Sequence, residues 1–159
     1  MKINIVCVGK IKENYFKEAI AEYSKRLSRY IQLEIIEVRD EKAPDTLTPA
    51  EEIIVKNKEG EKLLKHISPQ DFLVCLEVNA KQLDSVAFSN FFEQKKVAGV
   101  GKITFIIGGS LGLSKDVLQR ADFQISFSKM TFPHQMMRVI LLEQIYRSMR
   151  IASREPYHK

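Results

Sequence analysis

Residues 102–113 read Lys-Ile-Thr-Phe-Ile-Ile-Gly-Gly-Ser-Leu-Gly-Leu. A continuous apolar run of this length, closed by two glycines, is the signature of a strand buried on both faces that ends in a tight turn. The helical pattern from Ser114 to Arg120 follows, and a second short strand from Phe123 to Phe127 comes after it. Strand, turn, helix, strand is the unit of a parallel α/β sheet.

The same alternation extends outward over the whole chain. Ile3–Val8, Leu33–Val38 and Phe72–Glu77 read as further strands. Between them, Phe16, Ile20, Tyr23, Leu27 and Tyr30 recur at three- and four-residue steps, which predicts a helix over Tyr15–Tyr30. Thr48 followed by Pro49 reads as an N-cap and a first helical residue, opening a helix that runs to His66. A helix over Ser85–Lys96 and a long one from Pro133 to Ile151 complete the order. The expected fold is α/β, a parallel sheet with helices on both faces, in a single domain spanning residues 1–159. The loop Asp40–Thr48 does not divide it.

Composition restricts the function classes. The chain has 159 residues, 45% hydrophobic and 28% charged, as in an ordinary globular protein. No apolar run is long enough for a bilayer-spanning helix, and none at the start resembles a secretory leader, so a cytoplasmic location is expected. Cys7 and Cys75 sit in strand patterns without CxxC spacing and read as buried, reduced thiols. Three scattered histidines give no metal site. The net charge of +5 is uneven: residues 1–30 hold seven Lys/Arg against three Glu, and residues 131–159 hold five against two. Two basic ends permit a phosphate-rich partner.

In open α/β sheets, ligands bind beyond the carboxyl ends of the strands. Gly108, Gly109 and Gly112 lie at such an end, where missing Cβ atoms let backbone approach a ligand. The spacing is neither GxxxxGK[ST] nor GxGxxG, which disfavours a nucleoside-triphosphate loop or a standard dinucleotide site. The second wall is Ser126-Phe127-Ser128-Lys129-Met130-Thr131-Phe132-Pro133-His134. Pro133 holds Phe132 extended, leaving an irregular loop of rings, hydroxyls and free backbone groups that suits a flat adenine.

The helix after it carries Met136-Met137-Arg138-Val139-Ile140-Leu141-Leu142 and is apolar almost all round. Burial on two sides is expected, by the sheet and by something else, most simply a second copy. Arg138, four residues after His134, needs an anion, a carbonyl or a ligand there. Glu143 and Arg147 read as an exposed helical pair. The tail Arg154-Glu155-Pro156-Tyr157-His158-Lys159 is placed where chains fray, yet it mixes an aromatic ring, an imidazole and two cations.

Gly108-Gly109-Ser110-Leu111-Gly112-Leu113, Ser126 to His134, and Pro156-Tyr157-His158 closely resemble the motifs of the RlmH family, and the resemblance spans the chain. The family comprises methyltransferases of the SPOUT class that modify N3 of a pseudouridine in large-subunit (23S) rRNA. The resemblance implies a C-terminal trefoil knot, a homodimer, and an active site at the subunit interface. It implies S-adenosylmethionine held by Leu76, Gly108 and the loop Phe127, Ser128, Lys129, Met130, Thr131 and Phe132. Arg154, Tyr157 and His158 would reach the neighbouring subunit's site. The N3 proton must leave. His158 is one acceptor, and Arg138 or Arg154 are alternatives that would stabilise the resulting anion. The implied substrate is ribosomal RNA in an assembled particle. Two rivals share the fold: a ribosome-binding factor without catalysis, and a methyltransferase acting on tRNA.

Overall fold

In the computed structural model, which describes residues 1–159, the elements run β1 (Lys2–Val8), α1 (Asn14–Leu27), β2 (Gln32–Val38), α2 (Pro49–Leu64), β3 (Phe72–Gln82), α3 (Ser85–Val97), β4 (Lys102–Ile107), α4 (Lys115–Arg120), β5 (Phe123–Ser126) and α5 (His134–Ala152). The five strands form one sheet in the order β2-β1-β4-β3-β5, every pair parallel. The central strands β1 and β4 are the two continuous apolar runs. A strand covered on both faces has no polar side to alternate with.

Side-chain alternation splits the sheet between two cores. Ile3, Ile5 and Cys7 of β1, with Ile103, Phe105 and Ile107 of β4, face a core completed by residues of α1, α3 and α5. Val6, Val8 and Ile106 face the opposite one, with Leu63 of α2 and Val117 of α4. Thr104 is the polar interruption in β4, and its hydroxyl donates to the buried Asp71 at 2.9 Å. Asp71 also takes Lys102 Nζ at 2.9 Å. Both cysteines are buried and free. Burial pushes the Cys7 thiol up to about 11 and the Cys75 thiol to about 12, which leaves them unreactive small hydrophobes.

The α2 start follows its sequence signal. Thr48 accepts from the Glu51 amide at 3.2 Å and Glu51 accepts from the Thr48 amide at 2.8 Å, a complete capping box with Pro49 beside it. Several boundaries differ from expectation, four of them instructively. α1 ends at Leu27, although Tyr30 keeps the helical spacing, because Tyr30 packs against the same core from the following turn. α2 ends at Leu64, two residues before His66. Pro133 is the N-cap of α5, with ψ 134°, and His134 is the first helical residue. β3 continues to Gln82, beyond the expected Glu77, through an irregularity: Leu76 and Lys81 are both in register with Ile125, so residues 77–80 bulge from the ladder. The bulge pushes Leu76, Glu77 and Val78 towards the end of β4.

Besides the sheet, α5 packs on α1 and α3 of the same chain. Leu141, Leu142, Ile145 and Tyr146 are buried in this way.

Candidate active site

Gly108 leaves β4 and the chain turns at once. The Gly112 amide donates to Gly109 O at 3.1 Å, and the two residues form an isolated antiparallel bridge. Gly112 has φ +89°, a conformation that favours glycine. A Cβ on Gly108 would lie 3.0 Å from Gly112 C and from Leu113 Cδ2. Glycine is thus needed at 108 to let the turn close, whereas the sequence suggested that it keeps open the space for a ligand. Gly108→Val is expected to spread the turn and weaken binding of the methyl donor at least tenfold while the protein stays folded. Calorimetry beside a far-UV spectrum checks this, and unchanged affinity would refute it.

The opposite wall is the segment between β5 and α5. Ser126 donates to Ser128 O at 2.9 Å, and Ser128 Oγ accepts from the Met130 amide at 3.0 Å. These short-range bonds satisfy part of an irregular backbone, as serine turns do. Phe127 is anchored edge-on to Phe88 of α3, with ring centroids 5.9 Å apart. Between the walls lies a cavity of about 500 Å³, a size typical of small-molecule sites. Leu76, Gly108, Phe127, Ser128, Met130, Thr131 and Phe132 all line it. Of the expected binding residues, only Lys129 does not. Glu77, Ser110, His134 and Met137 line it too. Ser110 and His134 belong to the two expected walls but were given no binding role of their own, and Met137 was not expected there. Apolar side chains with free backbone groups and a Cβ-free turn fit an adenosyl group.

Arg138 is 1% exposed and points away from this cavity. Its Nη1 donates to Glu37 Oε2 at 2.7 Å, and its Nη2 donates to Val8 O at 2.9 Å and Gly9 O at 2.6 Å. The Ile11 amide donates to the same Glu37 oxygen at 2.8 Å. Arg138 therefore ties the ends of β1 and β2 to the start of α5. All of its bonds go to the protein, so a direct role on a reacting anion has no support in the structure.

The tail is ordered, and its order has causes. At the end of α5, the Arg154 amide donates to Ile151 O and the Glu155 amide to Arg150 O, each at 3.0 Å. This is the Schellman pattern, whose left-handed position glycine normally takes. Here Arg154 holds it, at φ +55°. The chain turns back along the helix. Glu155 accepts from Tyr30 Oη at 2.6 Å and pairs with Arg150. Tyr157 Oη donates to Glu143 Oε1 at 3.1 Å, and its ring lies 4.7 Å from the Arg147 guanidinium. Burial and the Glu143 carboxylate push the Tyr157 phenol up to about 12, so it stays a donor. Arg147 also bonds Glu143 at 2.7 Å and lies 3.3 Å from His158 Nδ1. Glu143 and Arg147, expected as an exposed pair, are half-buried and hold the tail.

None of Arg154, Tyr157 and His158 lines the chain's own cavity. Met137 of α5 lines the cavity, while Glu143 and Arg147, which hold Tyr157 and His158, lie six and ten residues further on. At about 1.5 Å per residue this is roughly 9–15 Å along the helix. The basic ends of the sequence do converge. Arg29 of the α1–β2 turn and Arg150 of α5 both lie against Tyr30.

A parallel sheet whose ligand cavity lies between a glycine turn after one strand and an irregular loop before the last helix defines a class. The chain belongs to the SPOUT methyltransferases: residues 1–158 match the family described as "Predicted SPOUT methyltransferase". It is 58% identical over its full length, and that of the relative, to "Ribosomal RNA large subunit methyltransferase H" of Carboxydothermus hydrogenoformans. It is 56% identical, again over both full lengths, to the protein of the same name from Clostridium botulinum strain Hall. Among solved structures, it resembles the tRNA (m1G37) methyltransferase of Aquifex aeolicus (TM-score 0.53, 14% identity, 92% of this chain and 70% of that one). It also resembles the putative methyltransferase Lpg2936 of Legionella pneumophila, solved with bound SAM (TM-score 0.51, 10% identity, 96% and 66%). At these identities the solved structures speak for the fold alone. No helix is long and apolar enough to cross a membrane, and no group of side chains is suited to a metal ion.

Proposed function

We propose that this chain is an S-adenosylmethionine-dependent methyltransferase that methylates N3 of a pseudouridine in large-subunit (23S) rRNA, acting in the cytoplasm as a homodimer on the assembled ribosome. One observation carries the reading. The Gly108 turn and the loop from Phe127 to Phe132, far apart from Leu76 in sequence, close on one cavity of about 500 Å³. The full-length relatives supply the substrate class.

The donor, when bound, supplies a methyl group activated on a sulfonium. The chain's own contribution is position. Leu76, Phe127 and Phe132 offer apolar surface, and the backbone of residues 108–112 comes close because it carries so few side chains. Holding reactants in line accounts for much of the rate of such a displacement. The same reading carries a trefoil knot built from the segments between β4 and α5.

The dimer follows from the tail. Tyr157 and His158 are held on Glu143 and Arg147, roughly 9–15 Å along α5 from the cavity-lining Met137, and do not line their own chain's cavity, which favours a role over a partner's. Arg154 keeps a left-handed backbone that glycine would adopt without strain, which favours a use for its side chain. Arg29 and Arg150 lie at the same end as the tail, a placement suited to rRNA phosphates, and that part of the binding weakens with salt.

Two measurements test the proposal. Titration with S-adenosylmethionine should give saturable heat, and a non-catalytic factor would give none. Mass spectrometry of RNA from a strain lacking the protein should show one unmethylated pseudouridine in 23S rRNA. Loss of a methyl group from tRNA instead would transfer the activity to that substrate.

A further inference from the structure

We propose that His134 is the group that accepts the N3 proton of the pseudouridine, an inference that rests on the function just proposed. His134 is the first residue of α5 and sits where two cavities meet. It lines the 500 Å³ cavity, and it also lines a smaller, enclosed one of about 70 Å³. The smaller cavity lies beyond the carboxyl ends of β1 and β2 and shares Gly109, Ser110 and Leu111 with the larger. A base entering over the Gly108 turn meets this imidazole beside the site that holds the methyl donor.

The charges around the ring suit the task. Burial and the Arg138 guanidinium, one turn along α5, hold its basicity below that of an ordinary histidine, and Asp40 opposes them. The ring is therefore neutral at pH 7 and free to take a proton. Arg138 cannot compete as acceptor, and its own bonds to Glu37, Val8 and Gly9 fix it. From the other elements around the ring, Asp40 and Glu41 of the β2–α2 loop and Glu59 of α2 line the small cavity, and Glu77 of β3 and Lys56 of α2 line the large one. Glu59 is 5% exposed; its Oε2 accepts only the Glu41 amide, at 3.3 Å. Of these, Asp40 is the carboxylate whose charge favours the imidazolium once it forms.

The step balances. The N3–H bond breaks as the proton passes to an imidazole nitrogen of His134. The N3 electron pair forms the new bond to the methyl carbon, and the pair of the methyl–sulfur bond stays on sulfur as the thioether. The proton leaves to water. The positive charge of the sulfonium is thus exchanged for that of the imidazolium.

The test is single-turnover methylation of ribosomes from a strain lacking the protein, followed against pH for wild type, His134→Asn and His158→Asn, with calorimetry of S-adenosylmethionine on each. General-base removal costs about 10²–10⁴-fold. His134→Asn is expected to lose at least a hundredfold in rate and keep donor affinity within threefold. The wild-type rate is expected to fall with acid below the ordinary histidine range, and His134→Asn to lose that limb. A His134→Asn rate within a few-fold of wild type overturns the proposal. So does a matching loss of donor affinity, which would make His134 only a wall. If His158→Asn alone removes the acidic limb, the tail histidine is the acceptor and the proposal fails. Absence of N3 methylation by the wild-type enzyme would strike the underlying function itself, and this inference with it.

Discussion

Removing residues 157–159 abolishes methyl transfer and leaves affinity for the methyl donor within about twofold of the full chain. This result is expected because the tail is held away from the cavity. The donor's walls come from Leu76, the Gly108 turn and the Phe127–Phe132 loop, and no tail residue contributes to them. Tyr157 and His158 are instead seated on Glu143 and Arg147. A tail that served its own chain would have to leave this seat and move roughly 9–15 Å along α5 to reach Met137. Mixing the truncated protein with Gly108→Val, at a donor concentration too low to load the latter, is expected to give more transfer than either alone, since a mixed dimer holds one intact cavity facing one intact tail. Full turnover by the truncated enzyme would remove the tail from the reaction. Failure of the mixture to exceed either alone, with both partners folded and dimeric, would remove the shared site.

Arg138→Ala should produce the largest loss of stability. The substitution leaves the Val8 and Gly9 carbonyls without their donor and Glu37 without its cation. Breaking a buried ion pair from one side costs about 3–5 kcal/mol. Glu37 is 34% exposed and water can solvate part of it, so the lower end, about 3 kcal/mol, is expected. Urea unfolding monitored by far-UV circular dichroism measures it. A loss below about 1 kcal/mol would mean that the strand ends hold without this tie. The variant should also relieve the guanidinium's pressure on His134, since Arg138 is one of the two causes lowering its basicity. The acidic limb of any surviving activity would then move to higher pH.

The parts of this molecule legible in its sequence share a physical reason. β1 and β4 are buried on both faces, so their apolar runs are continuous and nothing else competes for the pattern. The capping box of α2 lies within four residues, from Thr48 to Glu51. The two cavity walls were legible because glycine frees and proline restricts the backbone locally. The second half of β3 was not, because residues 77–82 read Glu-Val-Asn-Ala-Lys-Gln and carry no core face. The seat of the tail was hidden for another reason. Glu155 finds Tyr30 from 125 residues away, and no local pattern encodes such a pairing. The packing of α1 and α3 on α5 was not foreseen, because apolarity on two sides says that neighbours exist without naming them. Arg138 was singled out for the right property, a buried charge needing partners, and the partners are the Glu37 carboxylate and the main-chain carbonyls of Val8 and Gly9.

The unbroken run of α5 from His134 to Ala152 makes it a measuring rod. Each residue added to it would swing the tail by about 100° and carry it 1.5 Å further. Insertions or deletions within this helix should therefore be tolerated far less than in the loop between β2 and α2, even where the core could repack around them. The distance from one chain's cavity to its own tail would also fix how far apart two copies can place their paired sites.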